Sequence, residues 1–454
     1  MAQRSPFSLA AGRTYPILLG LGLAIGTTLS VALAGDHRHR TSELVPRDVF
    51  EGKQLFEKMW EPDEPSPLGG DGLGPLYNEQ SCVACHNQGG PGGGGPKEVN
   101  VNLIAAVTTT ARAIQDDSTY HGPIENLHGA FHDGASIVVH RHATTAELEE
   151  RLRKVELFRA VQTGSDFKVL RKVTRNAPAL FGSGLIDAIP VEVLLAAEKR
   201  VFTKFPEIKG RVSELPTGRV GRFGWKAQIA SLGDFVRAAC SNELGLEVPG
   251  HHQATIDKAP ATLLRDRALD LNEEQCAALT RYVGQLAPPV RRSPDDRTVP
   301  PWGYMVFESI GCATCHAPKL GPVAGIYSDL LLHDMGEATS DAAAYYGGPP
   351  PEPARPDLAK NDKPAPPSGP AKPTEWRTPP LWGVAESAPY YHDGRAGSLD
   401  EAIRIHAGEA AKASARYQKL SAADRKAVIT FLRSLTVSPR GRKLASAQPD
   451  GSIL

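Results

Sequence analysis

Apolar residues first gather in one continuous run, from Ile17 to about Leu33. Arg4 and Arg13 precede it, and Ala32-Leu33-Ala34 closes it before Gly35. A basic start, an apolar middle and a small-residue end make the pattern of a secretory signal peptide, so residues 1–34 are expected to be cleaved off after Ala34. Gly and Thr inside the run make it a poor membrane span, and no other stretch is long and apolar enough to cross a bilayer. A membrane tie is therefore expected only if this segment stays uncleaved.

Further on, the pattern becomes amphipathic, and it does so twice. Leu271–Leu286 and Leu420–Leu435 have equal length and carry an apolar stripe at helical spacing. Each opens on a capping residue, Asn272 or Ser421, with Gln275 or Asp424 three positions later, a capping box or a near variant of one. Gly52-Lys-Gln-Leu-Phe56 and Gly303-Tyr-Met-Val-Phe307 predict a first helix in each half. Their glycines let another helix approach closely, and their aromatics pack on it. A third echo sets Pro178-Ala-Leu-Phe-Gly182 against Pro379-Pro-Leu-Trp-Gly383, with Arg175 and Arg377 just upstream. Val99–Thr110 and Ala135–His140 are β-prone runs, and Gly89–Gly95 is a flexible glycine run. Gly347–Pro380 is crowded with proline and reads as an extended surface loop, and Pro288–Pro301 reads as a linker.

Between the first helix and the Pro-Leu-aromatic turn of each half stands the same pentapeptide. It is Cys82-Val-Ala-Cys85-His86 in one half and Cys312-Ala-Thr-Cys315-His316 in the other. Cys-x-x-Cys-His is the attachment signature of haem c. Two thiols one helical turn apart add to the porphyrin vinyl groups, and the adjacent His reaches the iron as proximal ligand. A zinc site would gather four ligands, and a dithiol redox pair needs no following His. Two covalently bound haem c groups are expected. The predicted fold is mainly α, with two cytochrome c-like haem domains in tandem. The first spans 44–290 with a small β-containing insertion at about 95–170. The second spans 291–440 with the Pro-rich loop 347–380. An exported chain carrying haem c belongs in the bacterial periplasm.

Lys plus Arg and Asp plus Glu both number 51, so no charge bias favours nucleic acid as a partner. Cys240 and Cys276 remain once four thiols are assigned to haem. They either pair in the oxidising compartment or sit apart as small buried residues.

Several blocks resemble a known group. Trp376-Arg-Thr-Pro-Pro-Leu-Trp-Gly383, Ala388-Pro-Tyr-Tyr-His-Asp-Gly-Arg395 and Ser398-Leu-Asp-Glu-Ala402 are similar to the C-terminal half of bacterial di-haem cytochrome c peroxidases. They are also similar to the related di-haem enzyme of methylamine utilisation. Gly74-Pro-Leu-Tyr-Asn78, Ser81-Cys82, Gly221-Arg-Phe-Gly-Trp-Lys226 and Leu332-His-Asp-Met-Gly336 resemble most the di-haem oxidoreductase branch described as thiol oxidoreductases. The resemblance covers most of the mature chain and is weakest at about 95–170. It implies a peroxidase-like enzyme with a catalytic N-terminal haem and an electron-relay C-terminal haem. Electrons would come from a small cytochrome c or a cupredoxin, the oxidant would be hydrogen peroxide or a similar small molecule, and Ca²⁺ would fit between the domains. No acidic loop of the EF-hand type is visible.

The second axial position decides between carrier and catalyst. For the second haem, His406 follows a helix start at Ser398 and falls where the peroxidases usually carry Met and the methylamine enzyme carries Tyr. Met335 is the alternative. For the first haem no sixth ligand stands out among His121, His128, His132, His140 and His142, which suggests an open site. Glu243, in Asn242-Glu-Leu-Gly245, resembles the distal Glu and is the expected proton-handling group. Arg175, Arg377 and Arg395 are expected to meet haem propionates, as a guanidinium matches a carboxylate. His392 and His333 fit orienting roles. The peroxidases' bridging Trp is absent from Gly184–Pro190, leaving Trp225 or Trp302 as substitutes. A non-catalytic di-haem electron-transfer cytochrome, or an oxidase of an organic or thiol substrate, are the other readings.

Overall fold

A computed structural model of the chain describes residues 46–109, 118–132, 136–163, 166–256, 267–288, 301–341, 343 and 370–436. The signal segment, nearly all of the linker and most of the Pro-rich loop lie outside the described residues.

The helices follow the amphipathic pattern. Arg47–Glu57 crosses Glu273–Gln285 in the first half, and Pro301–Ser309 crosses Ala422–Arg433 in the second. Both crossings are built alike. A Cβ on Gly52 would overlap the carbonyl oxygen of Ala278, and one on Gly303 would overlap that of Ala427. One turn on, Phe56 meets Tyr282 and Phe307 meets Phe431, each pair with ring centroids 5.3 Å apart. Asn272 and Gln275 form a reciprocal capping box, while Ser421 Oγ accepts from the Asp424 amide.

The expectation of a mainly helical molecule does not hold. Among the described residues the fold is 38% helix and 18% strand. Strands β1 (Leu76–Tyr77), β2 (Val101–Thr109), β3 (Thr119–His121), β4 (Ser136–Val139), β5 (His142–Ala143), β6 (Ala160–Thr163) and β7 (Asp166–Arg175) precede the helix Leu232–Glu243. Five of them form one mixed sheet in the order β3-β6-β7-β2-β4, with β3 and β6 parallel and the other pairs antiparallel. This is a substantial layer with its own apolar cluster around Ile104, Ile137, Val161 and Leu170, not a small insertion in a pair of tandem cytochrome c-like domains. The reason is β2–β7 pairing in register over nine residues, from Val101–Arg175 to Thr109–Phe167.

Two further apolar clusters flank the haem motifs. The larger runs from Val49 to Leu286 but also takes in Leu320, Val323, Ile326, Leu330, Leu331 and Trp382. The smaller gathers residues between Val306 and Leu435. The Pro-Leu-aromatic turns meet: a Cβ on Gly182 would strike the Trp382 ring. Among the described residues, no helix is long and apolar enough to cross a membrane.

Candidate functional site

Both pentapeptides form one helical turn. Cys82–Cys85 is α-helical behind a Ser81 cap, and Cys312–Thr314 is a 3₁₀ turn behind Gly311, which is left-handed at φ 99°. His86 N donates to Cys82 O at 3.0 Å and His316 N to Cys312 O at 2.9 Å. The thiols therefore lie on one turn with the imidazole beside them, as two-point attachment to a porphyrin requires.

The imidazoles suit metal ligation. His316 Nδ1 lies 3.0 Å from Tyr327 O, and His86 Nδ1 lies 3.3 Å from Gly93 O. A ring that donates from Nδ1 to a carbonyl keeps the lone pair on Nε2. Tyr327 adopts a left-handed φ of 48°, a strained position that goes with its carbonyl accepting from His316. Burial pushes both imidazoles down to about 4, so each is neutral at ordinary pH.

Each motif borders a cavity. The second, about 290 Å³, is lined by Cys312, Cys315 and His316, and by both candidate sixth ligands, His406 and Met335. His406 follows the helix Leu399–Arg404, which Ser398 caps through the Glu401 amide. Its Nδ1 lies 2.7 Å from Ala402 O and 3.1 Å from the Tyr391 hydroxyl. His406 is thus prepared like His316, with Nδ1 on a backbone carbonyl, and His406 adds to the burial that lowers His316. Met335 stands in a turn whose amide donates to Thr374 O.

The first cavity, about 80 Å³, is lined by Cys82, Cys85 and His86, with Glu79, Cys240 and Glu243. Among its described lining residues, His86 is the only imidazole, and none is a methionine or lysine. Glu243 ends the helix Leu232–Glu243, and Asn78 Nδ2 donates to its Oε2 at 2.7 Å. His140 and His142 lie off this cavity; His140 Nε2 is 2.9 Å from Asn242 O, and His142 pairs with Tyr77 across β5 and β1. Ala177, Pro178, Leu180 and Phe235 line both cavities, so one layer of side chains parts them.

The three arginines differ. Arg377 lines the second cavity; its Nε donates to Gly224 O while its buried Nη1 has no partner, and burial lowers its affinity for the proton to about 10. A guanidinium with an unpartnered nitrogen at a cavity wall suits a carboxylate such as a haem propionate. Arg175 is buried and engaged with Asp341 and with Ala343 O. Arg395 is half-exposed and paired with Asp393. His392 stacks on Trp376 at 3.5 Å, and burial pushes it down to about 3. His333 is gripped between Asp329 at 3.0 Å and Glu409 at 2.8 Å. Burial opposes charge on His333, but Cys315 and Asp329 outweigh it and raise its pKa well above the ordinary value.

Trp225 lines the second cavity and donates to Asn176 O at 2.9 Å, whereas Trp302 is half-exposed and bonds Asp424. Trp382, which the sequence reading passed over, packs on Gly182 beside the shared wall; its place in the repeated Pro-Leu-aromatic-Gly turn was the available signal. Asn78 was likewise visible as the end of Gly74–Asn78 without its role being read. Cys240 and Cys276 are both buried free thiols. Among the described residues, one group of closely spaced metal-binding side chains occurs, Cys315, Asp329 and His333. It is not the all-oxygen shell that calcium takes.

Residues 362–435 match the family model described as "Di-haem oxidoreductase, putative peroxidase". Over that segment the chain is similar to the di-haem oxidoreductases. The matched stretch holds Arg377, the Pro-Leu-Trp turn, His392, His406 and the closing helix. No curated protein matches the chain. Among solved structures it is similar to Kuenenia stuttgartiensis hydrazine synthase, at 16% identity and a TM-score of 0.32, over 58% of this chain and 72% of that one. It is also similar to a MauG-like protein associated with microbial copper homeostasis, at 16% identity and a TM-score of 0.28, over 58% of this chain and 92% of that one. Haem is the cofactor the family implies, and the donor sets of both cavities fit it.

Proposed function

We propose that this chain is an exported di-haem oxidoreductase that reduces hydrogen peroxide, or a similar small oxidant, at the His86 site, while the His316 site relays electrons. Cys82, Cys85, Cys312 and Cys315 would hold two haem c groups covalently, and His86 and His316 would ligate the iron. Bound haem iron supplies the electrons and, where a coordination position is open, the place for the oxidant. His406 closes the second site, and Met335 is its substitute. Arg377 takes up a propionate. Glu243 moves a proton between the two peroxide oxygens as the O–O bond breaks, so that peroxide, two electrons and two protons leave as two waters. A small periplasmic cytochrome c or cupredoxin supplies the electrons.

One observation supports this reading above the others. The cavity beside His316 presents two candidate sixth ligands, whereas the described lining of the cavity beside His86 presents none but offers the carboxylates Glu79 and Glu243. The test is to mix prereduced holoprotein with hydrogen peroxide. Rapid haem oxidation is expected, slowed at least 100-fold in Glu243→Ala, the scale of one proton-transfer group. Equal rates in the two proteins overturn the role of Glu243. Failure of both sites to bind cyanide or carbon monoxide leaves a non-catalytic electron carrier instead.

A further inference from the structure

We propose that Asn78 is the positioning residue for Glu243, and that the His140–Arg141 strap leading from the mixed sheet holds Asn78 in place. This rests on reading Glu243 as the base of the first site.

Glu243 is the last residue of its helix, where the helix dipole disfavours negative charge. Asn78 counters this twice. Its side-chain amide donates to Glu243 Oε2 at 2.7 Å, and its backbone N–H donates to Glu243 O at 2.7 Å. A hydrogen bond to a carboxylate favours the charged form, the one that accepts a proton. Asn78 is 1% exposed, so its own carbonyl also needs a partner, and the Arg141 amide provides it at 3.1 Å. Arg141 Nη1 then bonds Glu79, which lines the same cavity. From the preceding residue, His140 Nε2 reaches Asn242 O at 2.9 Å. Tyr77 and Leu76 are paired with His142 and Ala143, which carries the strap alongside the segment bearing Asn78. The sheet that the sequence reading undersized thus reaches the site through two consecutive residues.

The charged and titratable groups around Glu243 are Glu79 with its partner Arg141, the motif residues Cys82, Cys85 and His86, Cys240 one turn back on the same helix, and His140 through Asn242. Asn78 supplies a neutral donor there.

The test uses haem-loaded protein. Infrared difference titration follows the carboxyl band that disappears in Glu243→Gln, and the pH profile of peroxide consumption is recorded in parallel. Asn78→Ala removes the donor, so the carboxyl must be titrated at higher pH and the acid limb moves up by about one unit. Asn78→Asp keeps the shape and the acceptor for Arg141, so it serves if the alanine variant fails to fold; the same upward direction is expected. Unmoved carboxyl titration in a folded Asn78 variant overturns the proposal, even if thermal stability falls. If Glu243→Gln consumes peroxide normally, the reading of Glu243 as the base fails instead, while the infrared shift in the Asn78 variants still reports the Asn78–Glu243 contact.

Discussion

Residue chemistry at the two sites turns on which imidazole nitrogen is left free. His316 and His406 each place Nδ1 against a backbone carbonyl, at 3.0 Å and 2.7 Å, and both line the larger cavity. His406→Ala is therefore expected to open the second haem, seen as loss of its low-spin spectrum and gain of cyanide binding, while Met335→Leu leaves the spectrum unchanged. The opposite pattern would assign the ligand to Met335. A second residue-scale expectation concerns His140, which is 5% exposed. Burial lowers its pKa from 6.5 to about 4, against the favourable bond to Asn242 O. In the unfolded chain it takes up a proton below about 6.5, but in the fold not until about 4, so the unfolded state gains protons first as pH falls. Stability is full above that window and declines through it, by about 3 kcal/mol at most from this group. Urea midpoints at pH 7 and pH 4.5 should differ less in His140→Gln than in the wild type.

At the scale of elements, what was legible had local causes. The crossing helices carry their signals within about fifteen residues, a glycine in the first helix of each half and a cap with an apolar stripe in the closing one, so periodicity and capping rules reach them. The pentapeptides are local signals of the same kind, whereas His406 and Glu243 were singled out by resemblance to a family pattern; the structure places His406 just after a capped helix and Glu243 beside the first cavity. The sheet was not, because its central pairing joins Val101 to Arg175 and depends on contacts no local window contains. β7 also mixes Lys168, Arg171 and Lys172 with Phe167 and Leu170, which blurs its alternation. The bond from Asn78 to Glu243 spans 165 positions and was out of reach in the same way. The glycine crossings give an element-scale expectation. Gly303→Ala forces a methyl against the Ala427 carbonyl and should cost about 1–3 kcal/mol, as overpacking does. Ser421→Ala removes only the cap on the partner helix and should cost about 1 kcal/mol. Chemical denaturation of the two variants ranks them, and a cap variant weaker than the glycine variant would contradict the close-packed crossing.

For the molecule as a whole, the halves are tied by charge buried between distant segments. Arg175, at the end of β7, is 1% exposed and paired with Asp341, itself 4% exposed by side chain, beyond the second pentapeptide. Its Nη2 donates to Ala343 O at 3.0 Å, and nearby Lys226 donates to the carbonyls of Lys372, Pro373 and Glu375. Arg175 was a candidate for a propionate; in the fold this guanidinium joins the sheet to the C-terminal half. A buried pair contributes little net attraction over apolar packing, because both ions lose water, yet removing one partner strands the other. Asp341→Asn should therefore destabilise by about 3–5 kcal/mol. The double change Arg175→Met with Asp341→Leu should recover most of that loss. Breaking the exposed pair Lys154–Glu150 through Glu150→Gln should shift the denaturation midpoint hardly at all. If the Asp341 variant matched the Glu150 variant, the pair would not be closing the two halves together. If the double change failed to recover stability, the guanidinium would be holding something more than Asp341.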